Sequence, residues 1–267
     1  MTESEPTANP PEPIPQAVVD LVRDAEWITV FTGAGMSAES GIATFRDADT
    51  GLWERFDPET LATPEAWADD PALVWGWYSW RARQVRAAEP NAGHQALADL
   101  ARDRVVMIVT QNVDDLHERA GSQVVSHLHG SLFAPRCSRC GRPYPGDTDL
   151  DSDTLDGRVT PPVCPYCGGD VRPGIVWFGE ALPTEQWERA EQAIRGSDLV
   201  LVIGTSGIVY PAASLPEHAA RAGVPVIEFN PEPSALSSIA RHRVPVTAAT
   251  GLPELVRALG DGDPPAG

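Results

Sequence analysis

Six short apolar runs recur along the chain, at residues 27–31 (WITVF), 105–109 (VVMIV), 124–128 (VVSHL), 199–203 (LVLVI), 224–229 (VPVIEF) and 244–246 (VPV). They do not alternate with polar residues, so both faces of each strand are expected to be covered, as in a parallel sheet sandwiched by helices. Helical stripes lie between and before them. Ile14, Val18, Leu21 and Val22 share one face of a first helix, and Trp187, Ala190 and Ile194 share one face over residues 184–195. Strand and helix in repetition predict an α/β fold with a Rossmann-like, doubly wound parallel sheet.

Two stretches break this rhythm. Residues from about 48 to 92 carry Trp53, Trp67, Trp75, Trp77 and Trp80 and read as a small helical insert. Residues from about 134 to 172 hold all four cysteines with Pro and Gly between them, and read as a separate small module. Residues 1–12 and 261–267, acidic and Pro-rich, read as disordered tails, which leaves 13–260 as the folded domain.

The formal charge is −18, from 38 acidic and 20 basic side chains. Such a field repels a phosphate backbone, so direct nucleic-acid binding is not expected, whereas lysine-bearing protein segments are attracted. No window reaches the ~18 apolar residues of a membrane span. The opening residues have neither the positive nor the apolar region of a secretory signal. A cytoplasmic monomer without membrane contact is the expectation.

Cys137/Cys140 and Cys164/Cys167 form two C-x-x-C pairs with 23 residues between them. In a reducing compartment this spacing points to one zinc ion rather than disulfides. Four thiolates leave no open coordination position, so the zinc is expected to be structural.

Gly33, Ala34, Gly35 and Ser37 directly follow the first strand and, with Ala38, fit G-x-G-x-x-G/A, in which glycines permit a tight turn and close approach to a pyrophosphate. A dehydrogenase would show the same loop. The continuation through residues 39–47 differs, because it keeps Gly41 and sets Phe45 beside Arg46, as a loop folding over a cofactor would.

Taken together, these motifs resemble the sirtuin family. Gly33 through Arg46 is similar to the signature GAGxSxxSGIxxFR, with Met36 and Ala43 as small departures from the residues more usual there. Gln111, Asn112, Asp114, Leu116 and His117 resemble its TQNxDxLH motif, and His129-Gly130 its HG pair. Gly204, Thr205 and Ser206, and Asn230 with Pro231 and Glu232, resemble its later NAD-binding turns, and Ala248 follows by position. The resemblance runs from about residue 26 to 258.

It implies an NAD⁺-dependent protein deacylase that acts on acyl-lysine proteins or peptides and yields free lysine, nicotinamide and O-acyl-ADP-ribose. His129 takes the role of base, a task suited to imidazole near neutral pH. His127, two residues earlier on an extended segment, is its rival, and His94 and His117 are assigned structural roles in helices. Val176 and Phe178 fall in the segment that pairs with the substrate backbone by strand addition. Tyr78 and Arg81, three apart on one helix face, match the Tyr-x-x-Arg of sirtuins that prefer dicarboxylic acyl groups, and Ala62 matches a small residue that enlarges the pocket. Succinyl- and malonyl-lysine are therefore favoured over acetyl-lysine. A mono-ADP-ribosyltransferase would share the NAD⁺ site and differ in products. A plain dehydrogenase leaves the cysteine module unexplained, and a non-catalytic NAD- or zinc-bearing module would tolerate loss of His129.

Overall fold

The computed structural model describes residues 13–42, 57–146 and 157–260. Helix α1 (Gln16–Asp24) leads into β1 (Trp27–Thr32), which is followed by two 3₁₀ turns at Ala34–Met36 and Ala38–Ser40. The insert holds α2 (Pro58–Leu61), α3 (Pro64–Asp69) and α4 (Pro71–Ala87), and α5 (Ala92–Leu100) returns the chain to β2 (Val105–Thr110). Helix α6 (Leu116–Arg119) and β3 (Val124–His127) follow, then β4 (Gly130–Cys137) and β5 (Val171–Ile175). The second half runs α7 (Thr184–Arg195), β6 (Leu199–Ile203), α8 (Ser214–Arg221), β7 (Val226–Phe229), β8 (His242–Val244) and α9 (Ala248–Gly260).

Six strands form one parallel sheet in the order β3-β2-β1-β6-β7-β8. The order reverses between β1 and β6, so the two loops that leave these neighbouring strands diverge and open a crevice at their carboxyl ends. Register aligns Thr32 with Thr110 and Ile203, Thr110 with His127, and Ile203 with Phe229. Every motif singled out above for nucleotide binding follows one of these strand ends, Ala248 excepted.

Both faces of the sheet are covered. Ile28, Val30, Ile108, Leu199 and Leu201 pack under α1, α5 and α9, while Phe31, Val109, Val200 and Val202 pack under α7 and α8. That two-sided burial explains why these runs are continuous rather than alternating. Each fully buried Val, Leu, Ile or Phe contributes about 1.5–3 kcal/mol.

The insert is divided by three repeated signals. Asp57, Thr63 and Asp70 each cap a helix whose first residue is proline, accepting from the amides of Glu59, Ala66 and Leu73 at 2.9, 3.1 and 3.0 Å. In the cysteine module β4 and β5 pair antiparallel, from Gly130 opposite Ile175 to Cys137 opposite Val171.

Two of the apolar runs are trimmed or shifted. The strand expected at 224–229 starts at Val226 and the one at 244–246 lies instead at His242–Val244, because Pro225 and Pro245 have no N–H for a ladder. Among the described residues no helix is long and apolar enough to cross a membrane.

Candidate active site

At the switch point, main chain meets main chain. The Gly33 amide donates to the Ile203 carbonyl at 3.0 Å, Gly35 to Gly204 at 2.8 Å, and Gly204 to Phe229 at 3.0 Å. A Cβ on Gly33 would lie 2.7 Å from Thr205 Cβ, and one on Gly35 only 2.8 Å from Gly204 Cα. Gly204 itself has φ +57°, with Met36 N 2.4 Å from where its Cβ would stand. Glycine is required at all three positions because two loops cross without room for a side chain. Ala34 opens the first 3₁₀ turn and Ser37 caps it, fully buried. Phe45 and Arg46 lie outside the described residues.

The turn after β2 is tied to these loops. Gln111 Nε2 donates to Thr205 Oγ1 at 3.0 Å. Asn112 Nδ2 donates to Ser37 Oγ at 3.2 Å, and Ser37 Oγ donates to Asp114 Oδ2 at 2.9 Å. Burial pushes the Asp114 carboxyl up, opposed by the Leu116 amide and the Ser37 hydroxyl. Behind them, Thr32 Oγ1 donates to Thr110 Oγ1 at 2.8 Å and lies 3.2 Å from His117 Nε2. Because the Thr32 proton goes to Thr110, His117 Nε2 is the donor in that contact. On the other flank Asn230 Nδ2 donates to the Thr205 carbonyl at 2.8 Å, and the Arg243 guanidinium donates to the carbonyls of Asn230 and Pro231 at 3.2 and 2.6 Å. The Ser206 carbonyl accepts from Ala235 at 3.0 Å, and Glu232 is exposed. Ala248 is buried at the start of α9, whose first turn already meets a carboxylate, since Glu39 accepts from the Ala249 amide at 3.0 Å.

Between the two flanks stands His129, half-buried at the end of the β3 segment. Its Nδ1 lies 3.0 Å from the Gln111 carbonyl, which can only accept, so Nδ1 carries the proton and Nε2 the lone pair. Burial pushes its pKa below the ordinary value, opposed in part by that carbonyl, and the ring is therefore neutral at pH 7. Gly130 has φ +76°, and a Cβ there would stand 2.2 Å from the Gly174 carbonyl of β5, so both backbone conformation and space call for glycine. His127 is engaged at both nitrogens, with Nδ1 3.3 Å from the Asn112 carbonyl and Nε2 2.6 Å from Glu118. His94 and His117 are buried edge to face, 4.8 Å between ring centres, and desolvation holds both neutral.

On the far side of His129, the insert packs against residues 175–180. The Val176 amide donates to the His129 carbonyl at 2.8 Å and the Phe178 amide to the Ala62 carbonyl at 3.0 Å, so one segment links His129 to the insert. Ala62, Tyr78 and Trp177 share one apolar cluster with Leu61, Val74 and Ile175. Arg81 is 7% exposed, with its guanidinium 5.2 Å from the centre of the Trp77 ring. The Tyr78 hydroxyl is buried and meets no partner at full bonding distance among the described residues, and desolvation, opposed chiefly by Arg81 and then by the nearby Trp177 indole N–H, raises its pKa.

In the small module the four cysteine sulfurs lie within 4.8 Å of one another, with Cys137 to Cys167 at 3.4 Å and Cys140 to Cys164 at 3.9 Å. A tetrahedron with Zn–S of ~2.3 Å has edges of about 3.8 Å, so the four thiols fit one zinc. The amides of Arg139 and Cys140 point at Cys137 Sγ, both at 3.4 Å. Such N–H groups stabilise thiolate, and the filled set makes the site structural.

The profile of the Sir2 family matches residues 33–211. The chain belongs to the Sir2 family. It is 53% identical over 250 residues to NAD-dependent protein deacylase 2 of Corynebacterium efficiens, covering 92% of this chain and 98% of that protein. It is 52% identical over 244 residues to NAD-dependent protein deacylase 1 of Pseudomonas aeruginosa, covering 91% and 98%. Among solved structures, a Sir2 homologue in complex with NAD superposes with TM-score 0.83 at 41% identity, covering 95% of this chain and 97% of that one. A Sir2–p53 peptide–NAD⁺ complex gives 0.78 at 28% identity, covering 92% and 99%.

Several contacts of this site are marked by no local pattern in the sequence. Thr32 and Thr110 are strand-end residues whose hydroxyls face each other only because β1 and β2 pair in that register. Arg172 and Glu180 form a bidentate pair at 2.6 and 2.9 Å, and Glu180 also accepts from the Trp177 amide at 2.9 Å, which steadies the segment beside Val176 and Phe178. A spacing of eight residues in a Pro- and Gly-rich stretch marks no such pairing. The Glu39 cap on α9 joins residues 210 apart in sequence.

Proposed function

We propose that this Sir2 protein is an NAD⁺-dependent protein-lysine deacylase that takes succinyl- and malonyl-lysine ahead of acetyl-lysine. Bound NAD⁺ would supply an electrophilic ribose carbon and accept the acyl group, and one water molecule balances the release of lysine, nicotinamide and O-acyl-ADP-ribose. His129 Nε2, neutral and oriented by the Gln111 carbonyl, takes the proton from a ribose hydroxyl. Gln111, Asn112 and Asp114 hold the nicotinamide ribose and carboxamide. The backbone at Gly33, Ala34, Gly35 and Ser37 cradles the pyrophosphate, and Phe45 and Arg46 are assigned to the same cofactor by their place in the family motif. Gly204, Thr205 and Ser206, with Asn230, Pro231 and Glu232, line the adenosine half, joined by the main chain at Ala248. Val176 and Phe178 flank the acyl-lysine, and peptide pairing along their segment reads sequence poorly because it depends on main-chain groups. The same reading takes the chain as a cytoplasmic monomer that meets protein segments and not nucleic acid.

The acyl preference is carried by one observation. Tyr78 and Arg81 are buried on one face of α4, with small Ala62 in the same apolar cluster as Tyr78. Among the described residues the Tyr78 hydroxyl reaches no partner at full bonding distance, with only the Trp177 indole N–H acting on it as a donor. An orphaned buried hydroxyl costs about 1–3 kcal/mol unless a ligand satisfies it. A carboxylate in an apolar channel likewise needs a cation, which Arg81 supplies. Arg81→Met is expected to lower kcat/KM for a succinyl-lysine peptide by ~3 kcal/mol, roughly a hundredfold or more, while the acetyl version changes little. An equal fall for both peptides would reduce Arg81 to a support of the fold.

A further inference from the structure

We propose that His127 is a positioning residue, an imidazolium strut that donates from both ring nitrogens and fixes the Asn112 turn of the NAD⁺ site. The inference rests on the reading of Asn112 as an NAD⁺ contact. It begins from a pair of successive carbonyls. At the end of β3, His129 reaches the Gln111 carbonyl and His127 reaches the Asn112 carbonyl, each through Nδ1. The two rings differ at Nε2. Among the described residues His129 Nε2 meets no hydrogen-bond partner, whereas His127 Nε2 lies 2.6 Å from Glu118 Oε1.

A carbonyl oxygen accepts and cannot donate, and an ionised carboxylate likewise. A neutral imidazole has one N–H and can serve only one of them. Serving both requires two N–H groups, hence a positive ring. The short contact to Glu118 is of the length that charge-assisted bonds show. The other arrangement, a protonated Glu118 donating to a neutral ring, is opposed by the electrostatics on both sides. Burial lowers the His127 pKa, but the Glu118 carboxylate and the Asn112 carbonyl together raise it above the ordinary value. Burial raises Glu118, but the hydrogen bond and charge of His127 bring it below the ordinary value.

The ring is also anchored at its base. The His127 amide donates to Gln186 Oε1 at 3.0 Å and Ser126 Oγ to the Gln186 carbonyl at 2.7 Å, so α7 holds the strand in register. Asn112 is thereby gripped from three directions. Its amide N–H meets Thr110 Oγ1 at 2.9 Å, its side-chain Nδ2 meets Ser37, and its carbonyl meets His127. The charged and titratable groups that act on the ring are Glu118 from α6, Asp114 from the turn and His117 from α6; the α7 residue that holds its backbone is neutral Gln186. Loss of the His127 proton leaves one of the two acceptors without a donor and releases either the turn or α6.

The test has two arms on the full-length protein. In the first, long-range ¹H–¹⁵N correlation spectra of the NAD⁺-free protein report each ring. His127 is expected to carry protons on both nitrogens at pH 7 and to titrate above the ordinary histidine value, while His129 shows a bare Nε2. A singly protonated His127 at pH 7 overturns the proposal. In the second, calorimetry measures NAD⁺ affinity against pH. Wild-type affinity should fall roughly tenfold as pH rises through the His127 titration, the scale of losing one hydrogen bond to a charged group. His127→Gln should bind weakly throughout with no such pH step. A merely structural histidine would lower thermal stability and leave the pH dependence of binding in place. Should His127→Gln fail to fold, Glu118→Gln on the solvent side of the pair must remove the same step, and persistence of the step there contradicts the strut. Failure of the wild type to bind NAD⁺ would instead overturn the reading of the site, with the ring spectra still judging the charge of His127.

Discussion

On the nucleotide side of the cleft, Gly33, Gly35 and Gly204 are set by backbone contacts closer than any Cβ allows, and the side chains there mainly tie loops to one another. On the proposed acyl side, Ala62 closes the four-residue α2 and Tyr78 and Arg81 share one face of the 17-residue α4, each helix with its own cap, and the groups that would recognise the acyl chain are buried side chains. One side thus couples ligand affinity to the integrity of the sheet. The other, on the proposed reading, can change its choice of acyl group by exchanging side chains on an insert whose described residues add no strand to the sheet. His129 lies where the two meet, its ring held by the nucleotide side and its carbonyl by the acyl side.

If that division is right, His129→Ala should lower turnover by roughly 10²–10⁴ for every acyl group alike, with NAD⁺ affinity nearly unchanged. Single-turnover assays with succinyl and acetyl peptides check this, and a loss confined to one acyl group would break the division. Gly35→Ala should act differently. Forcing a Cβ against the Gly204 backbone costs about 1–3 kcal/mol of fold stability, and NAD⁺ affinity should fall in step with the melting temperature. Retained affinity in a less stable protein would show that the two loops can part without harm.

The smallest effect probes side chains behind the main-chain contacts. Burial lowers the His94 pKa to about 4. The unfolded chain protonates it near the ordinary 6.5, so unfolding takes up a proton between those values. The stability contribution is complete above pH 6.5 and declines as pH falls toward 4, by about 2 kcal/mol at pH 5. Carboxylates held low by their partners, Glu118 and Glu180, add their own losses only below the ordinary glutamate range. His94→Gln keeps the side-chain acceptor that completes the capping box with Asn91 and has no titrating group. Denaturant melts from pH 7 to 4.5 should show a flatter profile for this variant, and an unchanged slope would place the acid sensitivity elsewhere.

The sheet was legible in the sequence because two-sided burial leaves continuous apolar runs, and each run ends where a glycine or polar motif begins. The cysteine pairs were legible because zinc geometry restricts ligand spacing. Strands β4 and β5 were not, since Pro135 and Pro173 interrupt them and their register shifts between Ser131 and Arg136. Nor could spacing separate His127 from His129, which lie two apart on one segment. Their difference resides in a single partner, Glu118, brought alongside by the short helix α6. The Glu39 cap and the Thr32–Thr110 contact depend wholly on tertiary register, which no local pattern encodes.

The account is tested most directly by mass spectrometry of the wild-type protein with NAD⁺ and succinyl, malonyl and acetyl versions of one lysine peptide. It predicts nicotinamide and O-acyl-ADP-ribose in equal amounts with freed lysine, at higher kcat/KM for the succinyl and malonyl peptides than for the acetyl one. Transfer of ADP-ribose onto the peptide with the acyl group intact, or a preference for acetyl-lysine, would contradict it.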